Sequence, residues 1–237
     1  METSAKQRCA RTISALFMLA MAAAINGMTA AAAPPPGSVV EGPAAIVDGD
    51  TIVIAGQRIR LDAIDAPEAT QSCVGAHGEP SACGLIATRA LRDLIGQESV
   101  ACESVGTDKY GRMLGLCFLD GEDINQFMVE SGNAWAYVKY STKYVSVEAD
   151  ARALKIGIWQ GATQPAWEYR KAQWQVAEFV APAGCAIKGN VSKQGRVYHL
   201  PWSAWYDKVK IDETRGERWF CPEDEALQAG WRPAAPH

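Results

Sequence analysis

Three short segments hold acids and bases in patterns that suit phosphate chemistry. They are Val47-Asp48-Gly49-Asp50-Thr51, Arg60-Leu61-Asp62-Ala63-Ile64-Asp65-Ala66-Pro67-Glu68 and Thr107-Asp108-Lys109-Tyr110-Gly111-Arg112. Carboxylates gathered in one place repel one another unless a cation sits among them. Oxygen-only ligands suit Ca²⁺ or Mg²⁺, and Ca²⁺ tolerates irregular sites completed by carbonyls and waters. Arginines beside such a cation would bind a phosphate and share the charge on its oxygens as it reorganises. Read singly, Asp-Gly-Asp is a turn and each Arg a solvated side chain. The three segments together argue for a site.

The surrounding pattern says how they would be positioned. Ile52-Val53-Ile54, a Gly56-Gln57 turn and Arg58-Ile59-Arg60-Leu61 read as two alternating strands. Ile59, Leu61 and Ala63 share one face, and Arg58, Arg60 and Asp62 the other. Adjacent strands would carry Asp48, Asp50, Asp65 and Glu68 to one end of a sheet. Ala87, Ala90, Leu91, Leu94 and Ile95 recur at helical spacing, which predicts a helix over 84–96. Strands over 98–105 and 112–119 flank a turn-like 107–111. If they pair as a hairpin centred between Lys109 and Tyr110, Cys102 faces Cys117. Facing Cα atoms lie ~4.5–5.5 Å apart, which a disulfide accepts. Asp123 would cap a helix over 124–131 ended by Gly132, and a further helix fits 147–156 before Gly157.

In their order and spacing, the D-G-D-T, R-L-x-x-I-D-A-P-E and T-D-K-Y-G-R segments resemble the thermonuclease family, of staphylococcal nuclease type, from about Ala44 to Trp159. The resemblance implies an α+β fold, a five-stranded OB-fold β-barrel with three helices. It implies a role for each matching position. Asp50 and Asp65 match Ca²⁺ carboxylate ligands, Ala66 a backbone-carbonyl ligand, and Asp48 an outer acid of the metal site. Glu68 matches the general base that activates water, and Arg60 and Arg112 the phosphate-binding arginines. Lys109 and Tyr110 match nucleotide-contacting residues, as do Tyr137 or Tyr140, since Ala136-Tyr137-Val138-Lys139-Tyr140 aligns two ways. The implied enzyme is a monomer. Its reaction is in-line attack of water on a phosphodiester of DNA or RNA, breaking the P–O5′ bond and leaving 3′-phosphates. Two rivals stand beside it. OB folds often bind single strands without cutting, so a catalytically silent nucleic-acid-binding module is one. The other is an envelope or exopolysaccharide-associated protein, because some proteins of this two-part architecture carry a succinoglycan-biosynthesis label.

Composition sets the frame. The chain has 237 residues, 48% hydrophobic and 21% charged, which excludes a disordered, collagenous or coiled-coil protein. Lys6, Arg8 and Arg11, an apolar run over 13–25, and Ala31 and Ala33 before Pro34-Pro35-Pro36 form a secretory signal pattern over 1–33. The expected address is therefore periplasmic or extracellular, with an uncleaved anchor as the alternative. No later stretch approaches the ~20 apolar residues of a membrane span. The formal net charge of −4 gives no general pull towards nucleic acid, so affinity must come from local arginines and lysines. Cys9 would leave with the signal. Six cysteines remain, and an even number in an oxidising compartment fits three disulfides. Besides Cys102–Cys117, these are Cys73–Cys83, bracketing the loop after Glu68, and Cys185–Cys221. His77, inside that loop, reads as an exposed side chain rather than a substrate or metal contact.

After Gln160 the composition shifts, and six of the eight tryptophans lie between Trp167 and Trp231. The expected division is a barrel domain over 34–162, a helical linker over 163–183 with a helix at 165–179, and a small disulfide-linked α+β module over 184–237. The last resembles a module appended to many secreted nucleases and is distantly similar to the Ada-type zinc domain. Trp202 and Ala234-Ala235-Pro236 stand where that domain has thiolates, so a Cys185–Cys221 disulfide is favoured over zinc. A zinc site from His199 and those two cysteines is the alternative. The tryptophans read as the core of a small domain rather than as base- or sugar-stacking platforms.

Overall fold

The computed structural model describes residues 33–193 and 195–234. The expected signal segment, with Cys9, lies outside these residues except for Ala33, and so do Ala235 and Pro236. Among the described residues no helix is long and apolar enough to cross a membrane.

Five strands close a barrel: β1 (Val39–Ile46), β2 (Thr51–Ile54), β3 (Gln57–Leu61), β7 (Ser99–Thr107) and β8 (Met113–Leu119). Between β3 and β7 come the short strands β4 (Ile64–Asp65), β5 (Cys73–Val74) and β6 (Pro80–Ser81), then helix α1 (Cys83–Ile95). β1 pairs with β2 and β7, β7 with β8, and β8 returns to lie parallel to β3 with Arg60 opposite Leu114. The β2–β3 turn is Ala55-Gly56, at φ 50° and 80°, one residue earlier than expected. Positive φ at both turn residues suits the primed turns whose twist matches that of the strands. Ile52 then faces Ile59, and both are fully buried with Ile54, Leu61, Val100 and Met113. Ala87, Leu91 and Ile95 pack this core from α1.

β9 (Glu122–Asp123) leads into α2 (Ile124–Glu130), where the Asp123 carboxylate accepts the Gln126 N–H at 3.0 Å as the expected cap. β10 (Trp135–Ala136) pairs with β4. Helix α3 spans Val145–Ala153, starting and ending before the expected 147–156. Lys155 turns left-handed (φ 53°) while the Ile156 and Lys155 amides bond back to Ala151 and Arg152 (3.0 and 3.1 Å). That closure satisfies the last carbonyls of the helix and leaves Gly157 to start a 3₁₀ turn.

Pro165 stands just before α4 (Ala166–Val180) rather than inside its first turn. The remaining elements are β11 (Ile187–Ser192), β12 (Gly195–His199), β13 (Arg218–Phe220), α5 (Glu223–Gln228) and β14 (Arg232–Pro233). The four strands form one sheet in the order β13-β11-β12-β14 around Ile187, Tyr198, Phe220, Ala226 and Trp231. Trp231 is core, as expected, whereas Trp205 is 40% exposed. All three expected disulfides are present: Cys73–Cys83, Cys102–Cys117 and Cys185–Cys221. The third consumes the thiolates that a zinc site would need, and His199 Nε2 instead lies 3.0 Å from Asn190 Oδ1. The zinc alternative therefore falls.

Candidate active site

The Asp48-Gly49-Asp50 turn joins β1 to β2 and lies flat against its neighbours. A Cβ at Gly49 would come within 2.8 Å of Ala66 Cβ and 2.9 Å of Ala87 Cβ. Glycine and two alanines thus let the turn press onto the site. Asp50 is buried, and its backbone N–H donates to Asp48 Oδ1 at 3.1 Å. Its Oδ2 accepts the Ala66 N–H at 2.8 Å, and its Oδ1 accepts the Thr51 hydroxyl and pairs with Arg60.

Asp65 is fully buried on β4, opposite Trp135 of β10. The turn that aims it holds Ala63 in the left-handed region at φ 61°. Buried Asn125 of α2 clasps that turn. Its amide donates to the carbonyls of Asp62 and Gly115 (2.9 and 3.0 Å), and its oxygen accepts the Cys117 N–H (3.2 Å). Arg60 Nη2 donates to Asp65 Oδ1 at 2.7 Å, so one guanidinium bridges Asp50 and Asp65. Glu68 is fixed through its backbone. Its carbonyl accepts the Gln71 N–H (2.7 Å), and its N–H donates to Gln71 Oε1 (3.2 Å). A Cβ at Gly84 would fall on the Glu68 carbonyl, so α1 packs directly beneath it.

A further residue, Arg170 of α4, completes the cluster, and the sequence reading did not find it. Its Nη1 and Nη2 donate to Asp65 Oδ1 and Oδ2 at 3.0 and 2.8 Å, and Nη1 also donates to Glu68 Oε1 at 2.8 Å. The three contacts cross more than a hundred residues of chain, and no local pattern marks Arg170 for them. Arg112, the expected second arginine, is instead paired with Asp108 through Nε at 2.6 Å, 5.4 Å from the centre of the Tyr110 ring.

The other expected substrate residues are held by aromatic and cation–ring contacts. Lys109 Nζ sits 4.6 Å over the Tyr110 ring. These two residues, with Trp174, Trp202, Pro222, Glu223 and Asp224, line a cavity of about 330 Å³ between the barrel and the C-terminal sheet. Tyr137 packs 5.6 Å from Trp167 and 5.2 Å from Tyr140, which is 63% exposed. His77 is exposed in the disulfide-bracketed loop, as expected.

The four carboxylates gather beside Arg60 and Arg170, with the Arg58 guanidinium close enough to act on Asp48 and Asp50. Burial, reinforced by the charge of Asp50, raises Asp48 to about 6. Burial pushes Glu68 up to about 7 although Arg170 opposes it. Burial also acts upward on Asp50, but Arg60 and the Ala66 N–H outweigh it and hold that carboxyl below its ordinary value. Among the described residues no three Asp, Glu, His or Cys side chains converge into a ready-made metal cage. Two carboxylates, a carbonyl and water are nonetheless enough for an irregular Ca²⁺ site. Asp50, Asp65 and the Ala66 carbonyl are all hard oxygen donors. Burial raises Asp48 and Glu68, and repulsion from Asp50 adds to it; an added cation would relieve that repulsion, so the residues fit the ion.

A family model described as "Staphylococcal nuclease homologue" matches residues 58–161 and stops short of Arg170. The chain is 38% identical over 162 residues to the succinoglycan biosynthesis protein ExoI of Rhizobium meliloti (strain 1021), covering 66% of this chain and 79% of that protein. It is 37% identical over 133 residues to an uncharacterized endonuclease of Escherichia coli O157:H7, covering 53% of this chain and 80% of that protein. To a micrococcal nuclease of Shigella flexneri it is 32% identical over 145 residues, covering 54% and 78%.

Proposed function

The chain belongs to the staphylococcal nuclease homologue family and is a nuclease, and from that premise we propose a Ca²⁺-dependent enzyme, exported from the cell, that hydrolyses DNA or RNA to 3′-phosphate products. One observation carries the reading: Asp50, Asp65 and Glu68, two hard ligands and a base, are joined by hydrogen bonds to Arg60 and Arg170 at one end of the barrel. A base raised to about 7 takes a proton from water at neutral pH and holds it no more tightly than turnover allows. Such help is worth ~10²–10⁴-fold in rate. Arg60, already bridging the two ligands, would bind a phosphoryl oxygen and offset its growing charge. Ca²⁺ held by Asp50, Asp65 and the Ala66 carbonyl would supply further charge stabilisation.

Lys109 and Tyr110 would contact the nucleotide on one side, and Tyr137 or Tyr140 on the other. Arg112 joins the phosphate contacts only on leaving Asp108. The enzyme would act as a monomer. Three disulfides suit a periplasmic or extracellular address. The ExoI name supports a second reading, a role beside exopolysaccharide in the envelope. In this chain the cluster pairs its acids with arginines, which suits phosphodiesters better than sugars.

End-group analysis tests the chemistry. Labelled DNA and RNA digested in millimolar Ca²⁺ should yield 3′-phosphate ends and stay intact with chelator. Products with 5′-phosphate ends would refute the assigned bond cleavage.

A further inference from the structure

Arg170 holds the same carboxylate oxygens that a cation needs. Asp65 Oδ1 accepts from Arg60 and Arg170, and Oδ2 accepts from Arg170. A carboxylate offers roughly four lone-pair sites, so most of its capacity is taken. A cation on Asp65 would add a third positive charge to the two guanidiniums already there, and it competes most directly with Arg170, which holds both oxygens. The same guanidinium occupies Glu68 Oε1, one of the two oxygens able to take a proton from water.

The rest of α4 is anchored. Ala166 is buried, Trp167 packs edge-on to Trp135 at 6.1 Å, and the Tyr169 hydroxyl lies 3.1 Å from the Thr70 hydroxyl. The Arg170 side chain is 23% exposed, so its head can move without the helix. A cation on Asp65 would take away two of its three hydrogen bonds and leave its planar fork beside Glu68. Water activated by Glu68 must attack a phosphorus close to that carboxylate. An arginine fork matches two phosphoryl oxygens in a way that a point charge does not.

We propose, resting on the nuclease reading above, that Arg170 is a catalytic residue: held beside the site by three hydrogen bonds to Asp65 and Glu68, it passes to the scissile phosphate when a cation takes Asp65. It lies beyond the matched family segment, so the connector helix would bring its own arginine to the barrel's site.

The test uses the full chain and two readouts that must move in opposite directions. Isothermal titration with Ca²⁺ should show Arg170→Ala binding the ion about tenfold more tightly, because a competing charge has gone. Cleavage of a short DNA or RNA strand at saturating Ca²⁺ should fall ~10²-fold or more, as on loss of other charge-stabilising donors. Arg170→Lys, which keeps the charge but loses the fork, should bind Ca²⁺ like the wild type and still cleave slowly. It carries the test if the alanine variant does not fold. Lys171→Ala, one residue along and exposed, should match the wild type in both. Tighter Ca²⁺ binding with undiminished cleavage would make Arg170 a mere plug and overturn the proposal. Weaker binding together with slower cleavage would make it structural and also overturn it. A wild type that binds no Ca²⁺ and cuts nothing would refute the nuclease reading itself, whereas an active wild type beside an unchanged Arg170→Ala would refute only this proposal.

Discussion

The end of the barrel and helix α4 grip the site's carboxylates in different ways, and share Asp65. The barrel fixes Asp50 and Asp65 through backbone: a turn pressed on Ala66 and Ala87, an amide on Asp50 Oδ2, a left-handed Ala63 clasped by Asn125. α4 contributes one long side chain from an anchored helix. Positions set by backbone are rigid and hold ligands in place. A charge on a flexible stem can be exchanged. The barrel therefore supplies the geometry of the site, and α4 supplies a movable part of its electrostatics.

Breaking the barrel side should cost most. Glu68→Gln keeps the shape and removes the basicity, so kcat should drop ~10²–10⁴-fold. Binding of a short single-stranded oligonucleotide should be nearly unchanged. Equal losses in both would make Glu68 a binding group instead. Asp50→Ala should weaken Ca²⁺ binding and activity together, with partial rescue at high Ca²⁺, since a hard cation loses one of few charged ligands. Rescue of Glu68→Gln by Ca²⁺ would contradict the separation of roles.

Truncation sharpens the contrast. A chain ending at residue 183 keeps α4 and Arg170 and should remain folded and active. One ending at 162 loses Arg170 and should cleave as poorly as Arg170→Ala. If the longer fragment keeps native circular dichroism but not activity, the C-terminal sheet helps build the site, and the cavity beside Lys109 and Tyr110 is where to look.

The same contrast explains what could be read from the sequence. Asp48, Asp50, Arg60, Asp65 and Glu68 stand in two short segments joined by adjacent strands, so alternation and spacing brought them together. Cys102–Cys117 was legible from register alone. The register constant behind it holds from Ala101 to Ser104 and shifts by one at a β-bulge before Gly106. The bulge lies beyond the cysteines, so their pairing survived a turn centred half a residue away. Arg170 and Asn125 were not legible. Arg170 acts across more than a hundred residues of chain and Asn125 reaches the Asp62 carbonyl from α2, and a lone arginine in a helix looks the same whether it meets solvent or a buried carboxylate. Arg112 was named from its motif, but the motif does not reveal that Asp108, four residues earlier, holds it.

Two smaller effects concern stability. Asn125→Ala takes this partner from the Cys117 N–H and the Asp62 carbonyl, while the Gly115 carbonyl keeps the Asp62 N–H, and should cost about 1–3 kcal/mol in denaturant unfolding. A neutral result would show that the Ala63 turn holds itself. The last effect is on pH. Folded Glu68 (about 7) and Asp48 (about 6) keep protons that the unfolded chain, with ordinary values of 4.5 and 3.8, has released. The folded state thus binds more protons across that window, and this contribution to stability falls as pH rises through it. In chelator, Glu68→Gln should flatten the fall in melting temperature between about pH 4.5 and 7. An unchanged slope would mean that Glu68 titrates alike in both states.

The most direct measurement is cleavage itself: wild-type protein with its disulfides intact, incubated with single-stranded DNA and with RNA across a Ca²⁺ titration. The account predicts cutting of at least one of the two, saturating with Ca²⁺ and abolished by chelator. If neither is cut in millimolar Ca²⁺, the catalytic assignment of Asp50, Asp65, Glu68 and the arginines is contradicted, and a nucleic-acid-binding barrel takes its place.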